Sequence, residues 1–239
     1  MKEDLTDSYS PLAQAGETAQ VHPYLFTTAI LELAKQMGVA LLGGKATSIN
    51  KSDGKVTGVT YLCTETQTTK TIPATHVLLS AGAWSPTLLS ALPITTNRAH
   101  SITMRPKPTA IIAPYVLFTE ITLPSSSGNK VYIYPRPDNE VYATGRRDPC
   151  PLPAVVDDVP VDHAVCESIR EQVSSISQEL REGAVEKHQA CFLPVMSVDG
   201  GPIVGEARKI AKNLFIATGH NSWVSKFLLL QSSKANVYV

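Results

Sequence analysis

Fourteen glycines are spread along the 239 residues, yet no two of them are separated by a single residue. The fingerprint G-x-G-x-x-G is therefore absent, and with it the glycine-rich turn that sets a helix N-terminus against a dinucleotide pyrophosphate. Cysteine is scarce as well. Cys63, Cys150, Cys166 and Cys191 lie far apart with no C-x-x-C pair, which argues against a zinc site and against a disulfide scaffold. An excess of either charge is missing too: 21 basic residues balance 21 acidic ones. Neither nucleic acid nor an anionic membrane is expected as a partner. No apolar run approaches the length of a membrane span. The first residues, Met1-Lys2-Glu3-Asp4-Leu5-Thr6-Asp7, have the character of neither a secretory signal nor an arginine-rich transit peptide. With so few cysteines, a reducing, cytoplasmic setting is the expectation.

What is present begins near the C-terminus. Leu214-Phe215-Ile216-Ala217 is an uncharged apolar run closed by Gly219, the pattern of a strand buried on both faces. His220, Asn221 and Trp223 then crowd its carboxyl end, where ligands bind in open α/β sheets. A second stretch has the same grammar. The run Val77-Leu78-Leu79-Ser80-Ala81 is closed by Gly82-Ala83-Trp84-Ser85, with Pro86 following. Ser85 is expected as N-cap and Pro86 as the opening of a helix. Two such units, each with a tryptophan, suggest one sheet holding one flat ligand.

Between and around these units the chain alternates its habits. Pro23 to Met37 has helical spacing, with Leu25, Ala29, Leu33 and Met37 on one face and Gly38 as the stop. Strands are expected at Val39 to Leu42, Ala46 to Ile49 and Val56 to Leu62, the last two joined by a hairpin turn through Asp53-Gly54. Another falls at Lys70 to Ile72. From Asn97 the segments Ser101 to Met104, Val116 to Glu120, Val131 to Tyr134 and Glu140 to Thr144 read as an antiparallel sheet. Four prolines mark Pro149 to Pro160 as a surface connection. A helix over Val161 to Leu180 follows, with Val165, Ile169, Val173 and Ile176 on its stripe, then a strand at Glu186 to Phe192.

Five short motifs occur in one order: Gln20-Val21-His22-Pro23, Gly82-Ala83-Trp84, Tyr134-Pro135-Arg136-Pro137, Asp199-Gly200-Gly201-Pro202-Ile203-Val204-Gly205 and Gly219-His220-Asn221-Ser222-Trp223. In that order the chain resembles FAD-dependent oxidoreductases of the D-amino-acid oxidase type, and most of all their fungal amine or amino-acid oxidase-like branch. The resemblance runs from about Thr18 to Trp223. It implies a mixed α/β fold: a partial FAD-binding domain from residues 18–95 and 191–223, with a mostly antiparallel substrate domain, residues 96–190, inserted. It implies FAD as cofactor and a small-molecule amine or amino-acid-like substrate. Gly82, Ala83, Trp84, Asp199, Gly201, Pro202, Gly219, His220, Asn221 and Trp223 would border the cofactor, and Tyr134 and Arg146 would face the substrate. No residue is singled out as catalytic, because in this chemistry the flavin carries the reaction.

Each residue also has a plainer reading. Gly82-Ala83-Trp84 serves equally as a strand-to-helix turn, Asp199-Gly200 as a simple turn, and Trp223 as a core residue. Arg136 reads as a structural turn residue, and Arg147 and His100, like Arg146, suit a solvated surface as well as a substrate cavity.

Two positions depart from the family. Leu193 stands just before Pro194, where amino-acid oxidases of this type often place an arginine that forks onto the substrate carboxylate. A simple α-amino acid is therefore not the expected substrate. Cys191 lies roughly where some sarcosine-oxidase relatives attach flavin through a thioether; on its own it reads as a small buried hydrophobe. Residues 224–239 match neither the glycine nor the final helix of the family and form an atypical tail. The chain thus reads as a shortened form of the oxidoreductase, or alternatively as a non-catalytic remnant that binds or interacts.

Overall fold

In the computed structural model, residues 8–14, 20–124, 126–198 and 201–223 are described. The chain divides into two compact units. The first comprises Met1–Gln20, Arg98–Cys150 and Val156–Phe192, and the second Val21–Asn97, Pro151–Val155 and Leu193–Val239.

The second unit opens with helix α1, Pro23–Gln36. Proline suits the first turn, where its missing N–H has no intrahelical partner to lose. The expected stripe is present in the helix, but none of its residues is buried, and Leu33 keeps 59% of its surface exposed. Val39 to Leu42 is not a strand. The segment is exposed and has no ladder partner, and without a neighbour's N–H and C=O groups an extended run cannot become a strand.

Beyond it, β1 (Gly44–Ser52), β2 (Lys55–Cys63) and β3 (Thr69–Pro73) form an antiparallel sheet in that order. Asp53 and Gly54 both take positive φ, 51° and 71°, the twist that a two-residue hairpin turn requires.

The other sheet of this unit has the order β10-β11-β4. It is built from β4 (Val77–Leu79), β10 (Ile203–Glu206) and β11 (Leu214–Thr218). Along β11 burial alternates. Leu214, Ile216 and Thr218 are buried, while Phe215 and Ala217 are half-buried, so one face of this strand is fully covered and the other partly. Leu214 and Ile216 pack with Ile49, Val56, Leu79, Leu89 and Leu92 in one apolar cluster, the burial that holds the unit together.

The first unit is dominated by a five-stranded sheet of order β6-β7-β8-β5-β9. Its strands are β5 (Ile94–Arg105), β6 (Leu117–Leu123), β7 (Ser126–Pro135), β8 (Val141–Asp148) and β9 (Ala184–Met196). The pairs β6–β7, β7–β8 and β8–β5 are antiparallel. Helix α3, His163–Ile176, contributes Cys166, Ile169 and Val173 to a core shared with Ile102, Met104, Val131, Ile133, Val141 and Ala143. Asp162 caps it, its carboxylate accepting from the N–H groups of Ala164 and Val165 at 3.0 and 3.3 Å, which satisfies donors that helix geometry leaves open. The short α4, Gln178–Arg181, is capped by Ser177 in the same way.

No helix among the described residues is long and apolar enough to cross a membrane.

Candidate functional site

Strands β4 and β11 run parallel, in the register Leu214↔Val77, Phe215↔Leu78 and Ile216↔Leu79. Their carboxyl ends therefore point the same way, and the turns at Gly82 and Gly219 emerge from neighbouring strands. Period-two alternation puts Thr218 on the buried face with Leu214 and Ile216. A threonine there needs partners for its hydroxyl. It has two: Thr218 Oγ1 donates to the Gly82 carbonyl at 3.1 Å and accepts from Ser85 Oγ at 3.2 Å.

Both glycines take left-handed backbone. Gly82 adopts φ +52°, and a Cβ added there would meet nothing within 4 Å, so its open side faces free space. Gly219 adopts φ +80°, and a Cβ there would stand 2.7 Å from Met196 Sδ. Only glycine combines this conformation with such close approach.

Ser85 is not the cap expected of it. The helix α2, Ser85–Leu88, begins at Ser85 itself, follows Trp84 as N-cap and lasts four residues. Its hydroxyl is committed to Thr218 and so cannot turn back onto the helix start. One turn of helix carries little dipole.

Among the other expected site residues, Ala83 is buried, and Trp84 donates its indole N–H to the Pro153 carbonyl at 2.9 Å. His220 is buried, and burial pulls its imidazole below the usual range, so it is neutral at pH 7. Asn221 takes a positive φ of 52° at the start of a 3-10 turn over Asn221–Trp223. Gly201 is exposed, with open space where a Cβ would sit, and Pro202 leads into β10. Asp199, the Trp223 side chain and the tail 224–239 lie outside the described residues.

Tyr134 and Arg146 belong to the first unit. Tyr134 sits in an aromatic row, with ring centroids 6.1 Å from Phe118 and 6.0 Å from Tyr142; burial raises its phenol above the ordinary value. Arg136 fills the structural role read for it, bonding Glu140 Oε2 at 3.1 Å and lying 4.4 Å over the Tyr142 ring. Arg146 and Arg147 are exposed.

Two readings are corrected. Cys191 is exposed rather than buried. His100 is fully buried rather than solvated, held by the Asp162 N–H donating to its Nε2 at 3.1 Å. Beside it Arg98 grips Asp148 through Nε at 3.1 Å and through a second, shorter contact, and donates to the Pro160 carbonyl at 2.8 Å.

The residues that sequence reasoning passed over are Thr218 and Asp162. Thr218 ends an apolar run with a hydroxyl, and a buried hydroxyl at a strand end is a signal in itself. Asp162 two residues after Pro160, at the head of a helical stripe, is a readable cap.

The profile of a family described as FAD dependent oxidoreductase matches residues 12–227. Two yeast proteins named as candidate oxidoreductases are similar in sequence. C1F5.03c of Schizosaccharomyces pombe is 31% identical over 231 residues, covering 92% of this chain and 59% of that protein. TDA3 of Saccharomyces cerevisiae is 31% identical over 254 residues, covering 93% of this chain and 48% of that protein. The chain thus spans about half the length of these relatives. Among solved structures, iminodiacetate oxidase from Chelativorans sp. is similar with TM-score 0.62 at 19% identity, covering 83% of this chain and 49% of that one. L-proline dehydrogenase from P. horikoshii is similar with TM-score 0.61 at 15% identity, covering 90% and 56%. At such identities the likeness speaks for the fold alone.

Proposed function

Given that the chain belongs to the FAD dependent oxidoreductase family, we propose that it carries the ring side and the substrate side of an amine or amino-acid oxidase-like flavoenzyme. The reaction is oxidation of a C–N bond in a small-molecule substrate by hydride transfer to flavin. One observation carries this reading: the parallel ends of β4 and β11, each closed by a glycine turn, are locked together by Thr218.

The residues suit the ring end of the cofactor. Gly82 leaves open space on its side-chain face, where a flat aromatic ring can approach the backbone. The pyrophosphate end finds no counterpart in these 239 residues, since no glycine pair is spaced G-x-G. When bound, FAD supplies the ring that accepts hydride and passes electrons to O₂.

The work left to the chain is positioning. Thr218 fixes the Gly82 turn, and Ala83, Trp84, Gly201, Pro202 and Asn221 are the residues that would complete the wall. His220, neutral because it is buried, offers hydrogen bonding without a charge that would oppose loss of hydride. Residues 18–95 and 191–223 form the cofactor side, and residues 96–190, with Tyr134 and Arg146, the substrate side. Leu193 offers no guanidinium for an α-carboxylate. The setting is cytoplasmic.

The test is peroxide release from the chain supplied with saturating FAD and a panel of primary and secondary amines. Flavin-dependent peroxide from any of them supports the reading. Silence across the panel favours the alternative, a non-catalytic module that binds or interacts.

A further inference from the structure

Helix α3 begins at His163, and strand β9 carries His188. The two elements meet one turn further on, where the buried Cys166 thiol touches the Gln189 backbone. That anchoring brings the two imidazoles edge to face, with ring centroids 5.1 Å apart and planes at 78°. Their Nδ1 atoms face each other at 3.1 Å. A hydrogen bond across such a pair needs one Nδ1 to carry the proton and the other to accept it. A neutral imidazole can equally carry its proton on Nε2 and leave a lone pair on Nδ1. For His188 the surroundings favour that tautomer. Glu167 Oε1 stands 3.8 Å from its Nε2, and a carboxylate beside one ring nitrogen favours the proton there.

Two nitrogens so placed have the spacing of a metal chelate. At nitrogen–metal bonds of about 2.0–2.1 Å, nitrogens 3.1 Å apart subtend roughly 98° at a shared ion. That angle lies between the square-planar and tetrahedral arrangements that late first-row metals adopt. His163 is exposed and His188 half-buried, so the remaining coordination positions open to water. Among the described residues, no three histidines, cysteines or carboxylates gather around one point; the unit is a pair of imidazoles, not a closed cage. Glu167 is its outer partner. Arg170 Nε donates to Glu167 Oε2 at 2.8 Å, which holds the carboxylate on the Nε2 side of His188. A helix N-terminus disfavours a cation, and here the Asp162 carboxylate that caps α3 offsets that end.

We propose that His163 and His188 form a two-histidine site for a late first-row divalent cation, Cu²⁺ ahead of Zn²⁺, with Glu167 orienting His188. The proton on the donating Nδ1 moves to Nε2 of the same ring through water. No proton is lost, and the ion replaces a hydrogen bond as the link between α3 and β9. The preference follows from the ligands, imidazole without thiolate, and from the order of divalent affinities, which peaks at copper. Mg²⁺, which takes oxygen ligands, does not suit the pair.

The experiment is calorimetric titration of the untagged 239-residue chain with Cu²⁺, Zn²⁺ and Mg²⁺. One Cu²⁺ should bind per chain, roughly tenfold or more tighter than Zn²⁺, and Mg²⁺ should not bind. His163→Gln and His188→Gln should each weaken Cu²⁺ binding about tenfold or more, because each breaks the chelate. His76→Gln, in the other unit, should change nothing. Cu²⁺ should raise the melting temperature of the wild type and of His76→Gln, but not of the two site variants. Electron paramagnetic resonance of the copper-loaded wild type depends on no variant folding, and should show two coordinating imidazole nitrogens. A spectrum with a single imidazole nitrogen, or copper that leaves the wild-type melting temperature unchanged, overturns the proposal. So does binding that survives both site variants or that weakens equally with His76→Gln.

Discussion

The hydroxyl of Thr218 donates to the carbonyl of Gly82 at 3.1 Å, joining residues 136 positions apart in the chain. The contact lies at the carboxyl ends of two parallel strands and fixes their turns relative to each other. Thr218→Val keeps the shape and removes the donor. It leaves the Gly82 carbonyl and the buried Ser85 hydroxyl short of a partner, a loss of about 1–3 kcal/mol. Urea denaturation should show that loss, and Thr218→Ser should recover most of it. An unchanged midpoint for Thr218→Val would mean that the turns are held by other contacts.

Gly219→Ala tests the second turn by a different route. The new methyl would meet Met196 Sδ at 2.7 Å and Ile94 Cδ1 at 3.2 Å, at a backbone φ of +80°. Left-handed backbone costs a non-glycine residue roughly 1–2 kcal/mol, and the contacts add to it. Gly82→Ala meets no atom within 4 Å, so it should lose only the backbone contribution. Comparing the two by thermal melting separates conformational strain from crowding. Equal losses would show that the contact with Met196 relaxes without cost.

How far the sequence could be read follows from what kind of interaction set each feature. The β1–β2 hairpin was legible because Asp53-Gly54 carries its own instruction, positive φ at two residues in a row. The α3 stripe was legible because its period of 3.6 residues is local. Thr218 with Gly82 was not, since nothing in either residue names a partner 136 positions away. The β-bulge where His100 opposes both Gly145 and Arg146 depends on a cross-strand register that no single segment encodes. Val39 to Leu42 misled for the converse reason: its composition is that of a strand, but strand formation needs a neighbour, and composition does not supply one. The two glycine turns were legible because each closes an apolar run, whereas Leu193 stood out only through the resemblance to a family.

His100 makes stability depend on pH. The groups facing it are Arg98 on its own strand, Asp148 on β8 and Asp162 at the head of α3. Burial first, and the Arg98 charge second, pull its pKa below 6.5. Its Nε2 accepts the Asp162 N–H and so must stay unprotonated. Above pH 6.5 the imidazole is neutral in both states and its contribution is complete. As pH falls below that value, the unfolded chain takes up a proton that folded His100 resists, and stability drops until the folded pKa is reached. One proton limits the slope to about 1.4 kcal/mol per pH unit. The Asp148 carboxyl, held low chiefly by its hydrogen bond to Arg98, loses its contribution only at lower pH still. Chemical denaturation at pH 7.5 and 5.5 should show the wild type weakening more than His100→Gln. Parallel losses would exonerate His100.

Leucine at position 193 should make simple D-amino acids poor substrates of any active flavin-loaded form. A charge-assisted bond to a carboxylate contributes about 1.5–3 kcal/mol, and leucine cannot replace it. Kinetics with D-alanine measure this directly as a low kcat/KM. Efficient turnover would mean that another cation holds the carboxylate, and Arg146→Gln would then be the first variant to assay.

The 239-residue chain should bind FAD more weakly than micromolar. In dinucleotide sites the pyrophosphate rests on backbone N–H groups of a glycine-rich turn and on the positive end of the helix that follows. No two glycines here are spaced G-x-G, so that cradle is not encoded. The one helix that starts beside Gly82 lasts four residues, too short to offer a comparable dipole. What the described residues do provide is the ring end: two glycine turns braced by Thr218. Ring contacts without phosphate contacts leave two negative charges to be solvated by water, with no gain from binding. Quenching of flavin fluorescence on titrating the chain into FAD gives the affinity, and riboflavin serves as the comparison. If the ring end alone is read, riboflavin and FAD should bind with similar, weak affinity. Stoichiometric FAD at micromolar concentration, with riboflavin far weaker, would show that another segment of this chain cradles the phosphates.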